Sequence, residues 1–130
     1  MEEERNSSFF RFEDLRIYEK TLSYVEWVYN LTTLFPETGM IGDLATRFLN
    51  AAQNVAVSIA EGSGRNKPQF VQMLKDARGS VRECLVLGTI VYRLNFVSEE
   101  KNEENRELLI EISKMLGALI TSLQKPNRRN

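Results

Sequence analysis

The sequence is short of the residues on which most active sites and metal centres are built. Among its 130 residues there is no histidine, the commonest general base and the commonest metal ligand. Cys84 is the only cysteine, so no disulfide can form within the chain. The serines therefore lack a histidine base, and inward-facing glutamates would lack the histidine that di-metal bundles use. We predict a protein that is not an enzyme and holds neither a metal nor another cofactor.

Long apolar runs and a strong net charge are also missing. No stretch approaches 18 consecutive apolar residues, and the acidic N-terminus carries no apolar signal segment. We therefore expect a cytoplasmic protein that does not enter a membrane. The formal charge of −1 is unevenly distributed, because residues 2–4 and 99–111 hold nine acids and two bases, leaving 15 bases and nine acids elsewhere. This imbalance is compatible with a basic face on the protein. The alternative interpretation is that the charges lie on ordinary solvent-exposed helix faces.

What the sequence has instead is helical periodicity. Apolar residues recur at spacings of three and four in four segments of about 20 residues each, and no period-two pattern competes. Short connections place successive helices antiparallel. We predict an all-α, antiparallel up-down-up-down four-helix bundle over residues 12–125. A flexible arm at residues 1–11 precedes it, and a flexible basic tail at residues 126–130 follows it.

The ends of the helices are predicted from capping and turn residues. The first helix should begin near Phe12 and the second around residues 41–43. Asn66 and Pro68 mark the start of the third helix, because Asn caps helices well and Pro is tolerated in the first turn. Residues 98–104 are interpreted as a polar connection, which places the fourth helix at about 103–124.

The first helix carries two apolar rows where one is enough to face a core. The first row consists of Leu15, Tyr18, Leu22, Val25 and Tyr29, and the second of Ile17, Thr21, Tyr24, Val28 and Leu31. The excess predicts either a deeply packed helix or a surface that meets another subunit of a homo-oligomer. For that second alternative, the candidate interface residues are Tyr24, Trp27, Val28 and Leu31.

The stretch from Asn54 to Arg65 leads from small apolar residues into Glu61-Gly62-Ser63-Gly64-Arg65. The small residues permit a close approach between helices. Gly62 or Gly64 is expected to adopt the left-handed conformation that ends a helix. Glu61 is expected to anchor this turn by pairing with Arg65 or Arg78, or by accepting backbone N–H groups, and ligand binding is the alternative. The spacing does not match a phosphate-binding loop, and no strand precedes it.

A basic face on the third helix is the candidate nucleic-acid site. Its members are Arg65, Lys67, Lys75, Arg78 and Arg82. Cations spaced in this way are able to contact the phosphates of RNA or DNA, and an ordinary solvated face is the alternative interpretation. A second hypothesis is a protein–protein interaction module with no nucleic-acid role, suggested by the apolar surface around Tyr24 and Trp27.

Several strings together are more specific than any one of them. They are Phe12-Glu13-Asp14-Leu15 with Tyr18, Leu34-Phe35-Pro36, Ser58-Ile59-Ala60-Glu61-Gly62 with Gly64-Arg65, and Ala77-Arg78-Gly79-Ser80 with Glu83. With these strings in this order between about Phe12 and Leu123, the sequence resembles the bacterial 23S rRNA-intervening sequence proteins. The resemblance implies a four-helix bundle that assembles as a homopentameric ring. The relatives of this family include basic proteins of diversity-generating retroelements, which look like nucleic-acid-binding partners of a reverse transcriptase. This chain differs from them in being slightly acidic.

Overall fold

A computed structural model describes residues 9–126 of the chain. It contains a short 3₁₀ helix, Arg11–Asp14, and four long helices: α1 (Arg16–Thr32), α2 (Gly39–Ser63), α3 (Lys67–Arg93) and α4 (Glu99–Gln124). The helices pack against one another, which confirms the prediction of an all-α four-helix bundle. Residues 1–8 of the predicted arm and residues 127–130 of the predicted tail lie outside the described residues.

The predicted cap of α3 is present, whereas two other helix starts differ from prediction. The side chain of Asn66 accepts a hydrogen bond of 2.9 Å from the N–H of Gln69, with Pro68 in the first turn. The fourth helix begins at Glu99, earlier than predicted, because the Ser98 hydroxyl accepts from the N–H of Lys101 at 3.1 Å. Residues 99–104 of the predicted polar connection are therefore helical, and Ser98 is the cap before them.

The first helix also begins later than the sequence suggested. Glu13 and Asp14 lie in the 3₁₀ helix, and Leu15 is extended, with φ −78° and ψ 128°, before α1 starts at Arg16. Phe12 consequently precedes α1, and its ring packs edge-on against Tyr18 with 4.9 Å between centroids. The aromatic contact fixes the chain where it enters the bundle.

The core lies along the second apolar row of α1 and the facing rows of the other helices. Ile17, Thr21, Tyr24, Val28 and Leu31 are all buried. The first row is only partly covered, and Tyr29 is 56% exposed. The two rows have the same period, so their roles are decided by where α1 meets its neighbours.

The α2–α3 pair has the most extensive contact in the bundle. Ala51, Ala52 and Ala56 are buried on α2, and Ala77 and Cys84 are buried on α3. Small side chains let the two helices approach closely, as the sequence predicted. Within residues 9–126, no helix is both long and apolar enough to cross a membrane.

Candidate functional site

The turn between α2 and α3 is built differently from the sequence-based expectation. Helix α2 continues through Gly62 and Ser63, and Gly64 has φ −89°, which is not left-handed. The N–H of Gly64 donates to the carbonyl of Glu61 at 3.3 Å, and the N–H of Arg65 donates to the carbonyl of Gly62 at 3.0 Å. Glu61, Gly62 and Gly64 do form the turn, but through a tightened last turn rather than a left-handed glycine.

Gly62 is required for packing. It is buried, and a methyl group placed there would lie 2.8 Å from the ring of Phe70 and 2.9 Å from Cβ of Met73. Such distances are shorter than side chains tolerate, so α3 would have to move. The sequence drew attention to the correct glycine but assigned the wrong reason for it.

The expected role of the Glu61 side chain as an anchor of the turn is also corrected. Its side chain is exposed, because it lies on the side of α2 away from the core. None of the ion pairs between residues 9 and 126 joins it to Arg65 or Arg78. Its contribution to the turn is the backbone carbonyl that accepts from Gly64.

The predicted basic residues lie on one side of α3 and the turn before it. Arg65, Lys67, Lys75 and Arg82 are exposed, and Arg78 is half-buried. At 3.6 residues per turn, the four that belong to α3 fall within about 80° of its circumference and extend over roughly 22 Å. None of the ion pairs formed within the described part of the chain involves any of the five. The buried Nε of Arg78 likewise has no hydrogen-bond partner there.

Helix α4 adds two cations to this side that the sequence did not assign to it. Arg106 and Lys114 line the same groove as Arg82, in the space between α3 and α4. Arg106 also lies 4.0 Å from Glu103 of its own helix, in an exposed ion pair. The signal available in the sequence was the spacing of four between Arg106, Ile110 and Lys114, which places them on one helix face.

Three acids of α4 (Glu104, Glu107 and Glu111) lie on the side that faces α1. The indole N–H of Trp27 donates to Glu104 at 3.1 Å, and Lys20 pairs with Glu111 at 2.8 Å. Glu107 lines a shallow depression beside Trp27. Between residues 104 and 114, helix α4 therefore separates its charges, with glutamates along α1 and cations along α3. We call the surface formed by Arg65, Lys67, Lys75, Arg78, Arg82, Arg106 and Lys114 the basic face.

The residues predicted for a subunit interface lie mostly inside the bundle, which is a correction. Tyr24, Val28 and Leu31 are 1%, 0% and 5% exposed, so the chain already covers them. Trp27 is half-buried and stacks on Tyr24, with 6.0 Å between ring centroids and 13° between planes. Three of the four therefore leave no apolar surface for a second subunit.

Tyr24 and Cys84 are two buried titratable groups that lie beside each other in the core. Burial raises the pKa of Tyr24 well above its usual range, and Cys84 next to it adds to the rise. Burial also raises the pKa of the Cys84 thiol to about 12, against a smaller opposing effect of the neighbouring Tyr24 hydroxyl. The thiol is therefore protonated at neutral pH. Because the thiolate is the reactive form, Cys84 is a poor nucleophile. Between residues 9 and 126, no three Cys, Asp or Glu side chains are grouped so as to hold a metal ion.

By its fold and surface charge, the protein is a four-helix bundle without histidine. It has one basic face, and it has an acid-rich seam where α4 meets α1. The chain belongs to the 23S rRNA-intervening sequence protein family, whose family model matches residues 13–118. This match confirms the resemblance found in the sequence. A comparison with curated proteins found no match to the chain.

Proposed function

We propose that the protein is a non-catalytic, self-assembling helical scaffold of the cytoplasm that binds RNA or DNA weakly through its basic face. The observation that carries the proposal is the separation of charge between residues 104 and 114 of α4. Glu104 and Glu111 are turned towards α1, while Arg106 and Lys114 join the cations of α3. A chain whose formal charge is only −1 thereby acquires one side rich in cations.

A phosphate backbone is the ligand that this arrangement suits. Cations attract a polyanion by releasing its counterions, an interaction that needs no particular base sequence. The basic face extends along α3 over roughly 22 Å, long enough for several phosphates of one strand. The net charge of the chain provides no long-range attraction, so we expect weak and strongly salt-dependent binding.

Fluorescence anisotropy with a labelled, structured RNA tests this proposal. We expect binding at about 50 mM salt that weakens by an order of magnitude or more at about 200 mM. The double variant Lys75→Gln/Arg82→Gln should bind more weakly and with a shallower salt dependence. The control Arg11→Gln/Arg16→Gln removes two exposed cations outside the basic face and should leave binding nearly unchanged.

Absence of binding at low salt would contradict the nucleic-acid role, because phosphate contacts are strongest there. An equal loss in both double variants would show that total charge matters and that the basic face does not. Either result would favour the interaction-module alternative described below.

Self-assembly is the second part of the proposal, with a homopentamer as the form that the family resemblance implies. Because Tyr24, Val28 and Leu31 are covered within the chain, assembly would have to use other exposed apolar side chains. Val57 of α2 and Val86 of α3 are such residues, at 49% and 56% exposure. Several copies of a weak basic face on one particle would raise the avidity for a long polyanion. Light scattering coupled to size exclusion tests assembly, and a monomeric mass at micromolar concentration would contradict it.

A protein–protein interaction module is the second candidate function. The observation that favours it is an apolar end of the bundle, where the α1–α2 and α3–α4 connections lie side by side and Phe35 contacts Phe96. The exposed apolar residues at this end are Leu34, Met40, Leu94 and Phe96. If this end binds a partner, the variant Leu34→Ser/Met40→Ser should lose that partner in co-precipitation from native cytoplasm and keep RNA affinity unchanged.

A further inference from the structure

The groove between α3 and α4 has an aliphatic floor that water covers only in part. Val81 and Leu109 are 4% and 3% exposed at its base, Leu85 is half-buried, and Ile110 is 50% exposed at its edge. The groove has a volume of about 220 Å³ and is open to solvent along one side. Ile110 is half in contact with water, so covering it with a further apolar group lowers the free energy.

Three cations surround this floor at separated points. Arg106 and Lys114 lie eight residues apart on α4, which is about 12 Å along the helix. Arg82 approaches from the α3 side, and Ser113 is the remaining polar residue of the lining. The nearest carboxylate to Arg106 is Glu103, in the exposed 4.0 Å pair, and no acid belongs to the lining itself. The groove therefore calls for an apolar ligand with negative charges near both of its ends.

This combination selects among ligand classes. Aromatic rings are the usual stacking platforms for nucleobases, and no aromatic side chain lines this groove, whose floor is aliphatic. An anion with a single headgroup would engage the cations at one end only. An amphipathic helix with Leu, Ile or Val on one side presents aliphatic side chains to such a groove. Acids two turns apart on that helix are about 11 Å from each other, matching the separation of the cations.

We propose that the α3–α4 groove is a docking site for an acidic amphipathic α-helix of a partner protein. Its aliphatic side chains cover Ile110 and Leu85, and its carboxylates pair with Arg106, Lys114 and Arg82. This inference goes beyond nucleic-acid binding and does not depend on it. Because Arg82, Arg106 and Lys114 all belong to the basic face, a docked helix and a bound RNA would compete for them.

A displayed library of 14-residue helix-forming peptides tests the site, with the full-length protein as the target. We expect enriched peptides to carry aliphatic residues at positions i, i+3 or i+4, and i+7, flanked by Asp or Glu. Their affinity should fall about tenfold or more for Ile110→Ser and for the double variant Arg106→Gln/Lys114→Gln. The matched control is Tyr29→Ser, which removes a comparably exposed hydrophobic residue of α1 outside the groove and should leave affinity unchanged.

Circular dichroism and thermal unfolding establish that each variant keeps its helices, so that a loss of affinity reports on the groove. Three results would overturn the proposal: no peptide enriched on the wild type over Ile110→Ser, enriched peptides without acids, or equal losses with Tyr29→Ser. A single-stranded RNA whose affinity drops about tenfold on Ile110→Ser, with no peptide selected, would also overturn it and assign the groove to nucleic acid. RNA binding that depends on Lys75 is measured in parallel, so failure of the groove and failure of the basic face are distinguishable.

Discussion

The α2–α3 pair and the α1–α4 pair are held together by different kinds of contact. Between α2 and α3 the contact is close and apolar, with Ala51, Ala52 and Ala77 buried and Gly62 against Phe70. Between α1 and α4 the contact is less extensive and includes directed polar bonds. The hydroxyl of Tyr24 donates to Oδ1 of Asn105, and Trp27 and Lys20 bind glutamates of α4.

The two helix pairs contribute different properties to the fold. Close packing of small residues gives free energy through dispersion and burial, but alanines resemble one another and specify the relative position of two helices weakly. A buried hydrogen bond between one tyrosine and one asparagine is satisfied in a single register. We infer that the α2–α3 pair supplies stability and that the α1–α4 seam fixes how the fourth helix is aligned.

The largest effect should come from enlarging a small residue between α2 and α3. Ala52 is 0% exposed, so Ala52→Leu forces extra volume into a filled space and should lower the free energy of unfolding by about 3 kcal/mol. Urea denaturation followed by circular dichroism measures it. Val57→Leu is the matched control, because Val57 is 49% exposed on the same helix and should change stability by less than about 0.5 kcal/mol. A loss below about 1 kcal/mol for Ala52→Leu would mean that the interface has room to adjust.

The next effect concerns the hydrogen bond of the α1–α4 seam. Asn105 is 2% exposed and its Nδ2 has no partner within the described chain, so Tyr24→Phe leaves both ends of the amide unsatisfied. We expect a loss of about 2 kcal/mol in the free energy of unfolding. Replacing both partners, as Tyr24→Phe/Asn105→Leu, should cost less than the sum of the two single variants by about 1 kcal/mol. Strictly additive losses would show that the bond does not couple α1 to α4.

These two regions also differ in how far the sequence predicts them. The small residues before Arg65 indicated close packing, and Asn66 with Pro68 marked the start of α3, because both signals are local. Which apolar row of α1 faces inward is not local. Both rows repeat at the same spacing, and Asn105, the partner that Tyr24 selects, is 81 residues away along the chain. Periodicity therefore predicts the helix but not its rotation.

The candidate site follows the same division. Four of the five predicted cations share a face of α3, and a helical wheel is enough to find them. Arg106 and Lys114 join them only because α4 runs antiparallel to α3 in one particular alignment, which no local pattern contains. Gly62 illustrates a third case, since a glycine near a helix end suggests backbone freedom, whereas here it is required by Phe70 and Met73.

Replacing each of three glycines by alanine tests the packing role of Gly62, with smaller expected changes in stability. The change should be unfavourable at Gly62 and favourable at the other two positions. Gly62→Ala should cost about 1 kcal/mol, because the collision with Phe70 and Met73 outweighs the gain in helix propensity. A methyl group at Gly79 or Gly117 would meet nothing within 4 Å, so Gly79→Ala and Gly117→Ala should each raise stability by about 1 kcal/mol. Thermal unfolding of the three variants reports the signs. If Gly62→Ala were as stabilising as the other two, Gly62 would have no packing role.

The smallest effect on stability is expected from the surface ion pairs. They should contribute less than either the apolar packing between α2 and α3 or the buried hydrogen bond between α1 and α4. Lys20 pairs with Glu111 across the α1–α4 seam at 2.8 Å, and Arg47 pairs with Glu83 across the α2–α3 interface at 3.1 Å. The acids are 58% and 38% exposed, so water screens both pairs. Lys20→Gln and Arg47→Gln should each lower the free energy of unfolding by at most about 0.5 kcal/mol, and the losses should vanish near 1 M salt. A loss above about 1.5 kcal/mol for Lys20→Gln alone, persisting in high salt, would mean that the seam depends on charge as well as on the hydrogen bond between Tyr24 and Asn105.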